Sequence, residues 1–272
     1  MPKLLVLADD FTGSLDTGVQ FAKAGISTTV LFSDFDEESL INCRTQLLVL
    51  DLESRHDTAE NAYKKVYEIS KKAFACGIKH IYKKTDSALR GNIGAELTAL
   101  LDASDSNALE FVPAFPKNGR TTKGGMHYVN GVKVADSVFG NDPFNPVKYS
   151  FVPEIIAEQS EVKVSLGKNL DEPHICLHDA ETEEDLKQIA DGLKNLTLIS
   201  GCAAFAEYLP KILKLEKDEA NAEKLGRRAK ILLISGSVND ITLEQLCEAQ
   251  KEQKIFMLDA KEEEIANAFE QN

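Results

Sequence analysis

Short apolar runs alternate along the chain with amphipathic stretches and polar turns. Residues 3–8 form the first run, which ends at Asp9-Asp10 and a Phe-Thr-Gly turn. Leu15, Val19, Phe21 and Ala22 then recur at roughly helical spacing as far as Gly25. Residues 28–32 and 46–50 are short and rich in branched or apolar side chains, which predicts strands. Asp57, with Glu60 three positions on, predicts the capping box of a long helix that closes near Gly77. Strand 80–83, helix 93–101 and strand 109–113 follow. Most of these strands are too apolar to leave one face in water, and they alternate with helices. The pattern predicts an α/β fold: a mostly parallel sheet with helices on both faces.

Residues 115–150 break the rhythm with Gly119, Gly124, Gly125, Gly131, Gly140, Pro143 and Pro146. Within them, Asn130-Gly131 sits between alternating apolar residues, the strongest short-range signal for a hairpin, because both central residues of a type I′ turn need positive φ. A β-hairpin excursion is predicted there. Alternation resumes with strand 175–177, helix 183–193, strand 196–199 and a helix over 203–213 that Pro210 is placed to kink. The charged stretch 217–228 reads as a linker or surface helix. Strand 230–234, helix 243–249, strand 254–258 and helix 262–269 look like the opening of a second α/β unit. The expected organisation is residues 1–215 as one α/β domain and 216–272 as a linker and an incomplete second one.

Composition narrows the function. A net charge of −13 argues against a phosphate-backbone partner, since nucleic acids draw clustered Lys and Arg. No apolar run approaches the roughly 18–20 residues that cross a bilayer, and Asp9 interrupts the N-terminus before a signal core develops, so a cytoplasmic location without membrane contact is expected. The five cysteines include no C-x-x-C pair, and of the five histidines only His174 and His178 are close together. No disulfide framework is indicated, and no metal site is assigned.

In a parallel sheet, ligands bind in the crevice outside the carboxyl ends of the strands. The first strand ends at Asp9-Asp10, the strand over 46–50 leads to Asp51, Glu53 and Arg55, and the strand over 80–83 leads to Lys84-Thr85-Asp86-Ser87 and then Arg90-Gly91-Asn92. The strand over 109–113 leads to Gly119-Arg120. A rim carrying Arg55, Lys84, Arg90 and Arg120 beside Asp9, Asp10 and Asp86 suits a small ligand with an anionic group and several hydroxyls. Guanidinium pairs carboxylate in a bidentate fork, and aspartate accepts from sugar hydroxyls. Thr12-Gly13 and Arg90-Gly91-Asn92 each lie between a strand end and a helix, where backbone N–H groups can meet an anion. Neither a P-loop nor a G-x-G-x-x-G fingerprint is present, and without a G-x-S-x-G elbow a hydrolase or aldolase is disfavoured.

These residues carry a resemblance. Ala8-Asp9-Asp10-Phe11-Thr12-Gly13, Ser54-Arg55, Lys84-Thr85-Asp86-Ser87, Leu89-Arg90-Gly91-Asn92, Pro113-Ala114-Phe115-Pro116, Gly119-Arg120 and Gly236-Ser237 occur in an order that resembles the four-carbon acid sugar kinase family, over residues 1 to about 250. The resemblance implies an N-terminal domain that holds threonate, erythronate or an oxo-tetronate, and a C-terminal domain that holds ATP with its Mg2+. By that analogy Asp9, Asp10, Arg55, Lys84, Thr85, Asp86, Ser87, Arg90, Asn92 and Arg120 contact the acid sugar. Asp9, Asp10 or Asp86 would orient or deprotonate the terminal hydroxyl, and Gly236 and Ser237 would meet the nucleotide. Family members are longer, and no glycine-rich segment follows Gly236, so the expectation is an acid sugar kinase that is complete, shortened or one half of a split enzyme, with a second copy of itself (a homo-oligomer) or a complementary C-terminal chain as the expected protein partner. The alternative is a non-catalytic acid-sugar binder or sensor.

Overall fold

The computed structural model describes residues 1–32, 37–193, 198–218, 235 and 240–252. It divides into two compact units, Met1–Ala222 and Glu223–Asn272. The first is built on β1 (Leu4–Ala8), α1 (Phe11–Lys23), β2 (Thr28–Phe32), α2 (Glu37–Asn42), β3 (Leu47–Asp51), α3 (Ala59–Ala75), β4 (His80–Lys84), α4 (Ile93–Asp102) and β5 (Ala108–Val112). The excursion β6 (Arg120–Lys123), β7 (Met126–Val129), β8 (Val132–Lys133) and α5 (Val152–Ala157) comes next. The unit is completed by β9 (Lys163–Leu166), β10 (His174–Leu177), α6 (Glu183–Gly192), β11 (Leu198–Gly201), α7 (Ala203–Ala206) and α8 (Leu209–Ile212).

Eight strands form one sheet in the order β2-β3-β1-β4-β11-β5-β10-β9, and every pair in it is parallel. All five residues of β1 and of β3 are buried, as a sheet covered on both sides requires. One core sets Leu5, Leu7, Leu48 and Leu50 against α3, α4 and α5 through Val66, Leu97, Leu100 and Ile156. The other sets Leu4, Val6, Leu47 and Val49 against α1, α6, α7 and α8 through Phe21, Leu186, Phe205 and Leu209. This assignment follows from right-handed crossovers. The chain leaves β1 in one direction along the sheet and β4 in the other, so α1 and α4 land on opposite faces. The carboxyl ends of adjacent β1 and β4 therefore part around a crevice.

The excursion is a three-stranded antiparallel sheet, β6-β7-β8. Asn130 and Gly131 take φ of 51° and 79° between the paired Val129 and Val132, the turn that the Asn-Gly step predicts.

Several expectations shift. The α3 helix is capped by Thr58, whose side chain accepts from Asn61 N at 3.3 Å, while Asp57 pairs with Lys65 at 2.8 Å instead of forming a capping box. The single helix over 203–213 is two short helices, because Pro210 sits in the first turn of α8. The short elements α2, α5 and β9 have no counterpart in the sequence reading. Residues 216–218, read as the start of a linker, dock on the first unit: Gln46 Nε2 donates to Glu216 O at 2.6 Å, and Ser27 N to Asp218 Oδ2 at 3.1 Å.

The helices pack tightly where α4 meets α5. A Cβ on Gly94 would lie 2.3 Å from Ile156 O, inside any allowed contact. Gly94→Ala is expected to destabilise the first unit by about 1–3 kcal/mol, the usual range for overpacking. Urea denaturation gives the measurement, and an unchanged midpoint would refute the close approach.

In the second unit the described residues include α9 (Asp240–Lys251), which extends the expected helix 243–249 at both ends. The strands expected over 230–234 and 254–258, the helix over 262–269 and most of 217–228 lie outside the described residues.

Candidate active site

The crevice at the ends of β1, β3 and β4 gathers most of the residues expected there. The Asp9 side chain is 2 % exposed; its Oδ2 accepts from Arg55 Nε and Nη2, each at 2.7 Å. Asp10 caps α1 by accepting from Gly13 N at 2.9 Å, and its other oxygen meets Arg55 Nη1 at 2.7 Å. Asp86 takes a bidentate fork from Arg90, with Nε and Nη2 both at 2.9 Å, and it also accepts from Ala88 N at 3.1 Å. Arg55 Nη2 approaches Asp86 Oδ1 at 3.7 Å and so joins all three carboxylates. Burial works against charge at Asp86. The hydrogen bonds and charge of Arg90, with Arg55 and Lys84, outweigh it and hold the carboxyl well below the usual range. Burial likewise opposes the Arg55 charge, but Asp9, Asp86 and Asp10 raise its pKa.

Both arginines are thus occupied by the protein itself. They brace the carboxylates while still lining the cleft, so the expected direct contact with an acid sugar stays an expectation. What remains unpaired is smaller. Among the described residues Lys84 Nζ has no hydrogen-bond acceptor; it lies 3.9 Å from Asp9 Oδ1, a buried oxygen that receives no hydrogen bond from them. Thr85 Oγ1, fully buried, is also without a partner. Gly13 lets the ammonium lie there: a Cβ on that residue would be 2.5 Å from Lys84 Nζ and from Asp10 Oδ1. Lys84, Gly13 and Asp10 border a cleft of about 160 Å³ whose walls include Thr12, Ser87, Phe115, Asn118, Cys202 and Ala203, while Asp9 and Thr85 lie buried behind its lining.

A larger cavity of about 330 Å³ adjoins it on the far side of Arg55 and Arg90, against the 145–148 loop and α5. Its charged groups are already paired: Asp57 with Lys65, Lys148 with Glu158, and Arg90 with Asp86 and Asp142. The smaller cleft is therefore the better place for a polar anion. Asn92 lines the larger cavity. Its Nδ2 donates to Ser54 O at 2.9 Å and Asp57 O at 3.0 Å, clipping the Arg55 loop to α4, while Gln159 Oε1 caps α4 in its place, accepting from Gly94 N at 3.0 Å. Arg120 stacks over Phe139 beside Arg90, at 5.6 Å and 5.1 Å from the ring centre, and it borders neither cavity. Gly236 and Ser237, expected at the nucleotide, lie outside the described residues.

Two groups of residues escaped the sequence reading. Lys83, adjacent to Lys84 on β4, points to the opposite face of the sheet. It is fully buried, pairs with Glu96 of α4 at 2.9 Å and donates to Lys84 O at 2.8 Å. Ser54 Oγ completes this network by donating to Glu96. Burial pushes the Glu96 pKa up.

His127 of β7 bolts the hairpin to the cleft. Its Nε2 donates to Ser87 O at 2.9 Å, which leaves Nδ1 to accept from Thr122 Oγ1 at 3.0 Å. Burial lowers its pKa to about 4. The folded state thus resists protonation that the unfolded chain accepts near 6.5, so stability is complete above pH 6.5 and falls between 6.5 and about 4. The loss attributable to His127 is about 3 kcal/mol. Urea midpoints measured across that window are the check; a flat profile from 6.5 to 4 would contradict the buried neutral ring.

A cleft lined by charged and hydroxyl side chains lies at the switch point of a parallel sheet, and comparison with known proteins shows the family. Residues 4–209 match a family model described as a sugar-binding N-terminal domain. A D-threonate kinase of Salmonella typhimurium is 35 % identical over 99 % of this chain and 68 % of its own length, and a D-erythronate kinase of Heliobacterium modesticaldum is 31 % identical over 90 % and 60 %. A Bordetella bronchiseptica structure solved with bound citrate as a domain-swapped dimer superposes with a TM-score of 0.67 at 29 % identity, over 78 % of this chain and 56 % of that one. The chain belongs to the four-carbon acid sugar kinase family, and spans roughly three fifths to two thirds of the length of the two kinases. Among the described residues no helix is long and apolar enough to cross a membrane.

Proposed function

We propose that the chain takes part in ATP-dependent phosphorylation of a terminal hydroxyl of a four-carbon acid sugar (threonate, erythronate or 3-oxo-tetronate) and that the cleft over β1 and β4 holds the sugar. The observation that carries this is Lys84, which lines the cleft with no hydrogen-bond acceptor among the described residues, and buried Asp9 Oδ1, which lies 3.9 Å behind its ammonium and receives no hydrogen bond. A hydroxy acid offers what each lacks: an anionic oxygen for the ammonium and an O–H for the carboxylate. Of the three candidate bases, Asp10 and Asp86 have both oxygens engaged. Asp9 Oδ1 has only the Lys84 ammonium at 3.9 Å and no hydrogen bond, so this reading favours Asp9, reached past Lys84, as the group that orients or accepts the hydroxyl proton, with Arg55 fixing its other oxygen. Relatives carrying the names of threonate, erythronate and 3-oxo-tetronate kinases support the substrate class. ATP and its Mg2+ belong to this reading through the family alone, with the Gly236-Ser237 segment as the proposed contact.

The test is to incubate the chain with ATP, Mg2+ and each acid in turn and to follow ADP, with calorimetry of acid binding alongside. ADP formed only with a four-carbon acid supports the reading. Acid binding without ADP reduces the chain to a binding module, and failure to bind any of the acids removes the proposal.

A further inference from the structure

On the face of the sheet that carries α6 and α7, β5 and β10 lie side by side with Glu110 and Cys176 as register partners. Residues two apart on a strand share a face, so His178, just beyond β10, rises beside them. A carboxylate oxygen, a sulfur and a ring nitrogen thereby come within 4.8 Å of one another, with His178 Nε2 at 2.5 Å from Glu110 Oε2. Glu110 and Cys176 are buried, and the His178 side chain is 18 % exposed, so the group opens to solvent on one side. Two residues on one strand and the residue opposite on the next present three donor atoms as a triangle, with the fourth tetrahedral position toward the open side. None of the three residues borders the acid-sugar cleft.

We propose that Glu110, Cys176 and His178 form a site for one divalent cation of the zinc class. The donor set selects the metal: thiolate and imidazole suit zinc, whereas magnesium takes oxygen ligands and keeps its waters. Metal–ligand distances of about 2.0–2.3 Å place the donors of a tetrahedral site about 3.5 Å apart. The cation therefore draws Cys176 inward and opens the His178–Glu110 contact by about 1 Å, by side-chain rotation on fixed strands. The metal ties β5 to β10 beside the anchor of the hairpin, where Asp179 accepts from Gly125 N at 3.0 Å and Ala180 O accepts from Thr122 N at 2.9 Å.

The experiment strips the purified chain with chelator and titrates it with Co2+ under reducing, oxygen-free conditions. One equivalent binds with the intense near-ultraviolet absorption of a thiolate–cobalt bond, and Zn2+ displaces it. Cys176→Ser abolishes the band, His178→Ala and Glu110→Gln each weaken binding by at least about tenfold, and Cys43→Ser, Cys76→Ser and Cys247→Ser leave it unchanged. Absence of the band at one equivalent, or its survival in Cys176→Ser, overturns the proposal. X-ray absorption of the zinc-loaded parent chain makes the test independent of variant folding: one sulfur at about 2.3 Å with lighter ligands at about 2.0–2.1 Å is expected, and a shell without sulfur refutes the site.

Discussion

Lys84→Met is expected to weaken acid-sugar binding by about 10- to 150-fold, the equivalent of the roughly 1.5–3 kcal/mol carried by a charge-assisted hydrogen bond. Methionine keeps the length and the apolar stem, so the change isolates the ammonium. The ammonium makes no short bond within the fold, and its part there is the longer-range charge it sets beside Asp9 and Asp86. It accepts no role in the Arg55–Asp9–Asp10 or Arg90–Asp86 pairs, and its nearest carboxylate oxygen is 3.9 Å away. The thermal midpoint should therefore fall less than in the Lys83 variant, whose pair is 2.9 Å long, while affinity collapses. If turnover is measured, a further loss in kcat of about 10²–10³ marks an ammonium that also steadies charge developing at the reacting oxygen. Calorimetry that finds affinity within threefold of the parent would remove Lys84 from the site, and with it the main support for placing the sugar there.

Lys83→Met, one residue earlier, should behave in the opposite way. It strands the Glu96 carboxylate among apolar side chains with Ser54 as its remaining partner, and breaking a buried pair from one side costs about 3–5 kcal/mol. Replacing both partners, Lys83→Met with Glu96→Met, should recover most of that loss, because two apolar groups leave no orphaned charge. Acid also relieves the single variant. A Glu96 with a raised pKa protonates before an ordinary carboxylate does, and the neutral acid is cheaper to bury, so the deficit shrinks as pH falls. Urea denaturation of the parent and the two variants at two pH values is the measurement. A Lys83→Met chain as stable as the parent would show that the pair is not the clamp it resembles.

These neighbours show how far the sequence could be read. The strand ends that carry Asp9, Arg55, Lys84 and Asp86 stood out, because apolar runs locate a parallel sheet and ligands gather at its carboxyl edge. Lys83 was legible by the same logic but was passed over. Alternation on a strand sends it to the face away from Lys84, and Glu96 is an acid among apolar residues in the first turn of a helix whose other acid, Asp102, stands at its end. What the pattern cannot supply is who pairs with whom. Arg55 and Arg90 look available to a ligand until their distances to Asp9, Asp10 and Asp86 are known. The Glu110–Cys176–His178 group spans distant segments and exists only because β5 lies next to β10. The cap of α3 fell one residue from its expected place because Asp57 and Thr58 are both competent caps, and packing chose between them.

The parting of the chain at β1 and β4 has a consequence for how selectivity is divided. The floor of the cleft is made of strand ends locked in register and cross-braced by ion pairs, so it presents nearly the same charges to any small acid. The walls come from four segments of the chain, at Thr12, Ser87, Phe115-Asn118 and Cys202-Ala203, the last tied to Ala114 and to Tyr82 of β4 through Cys202. Side chains on these segments can change size while the ion pairs of the floor keep their partners. Discrimination between stereoisomers, or between an alcohol and a ketone at the third carbon, would then be tuned at the rim while the ionic grip beneath stays constant.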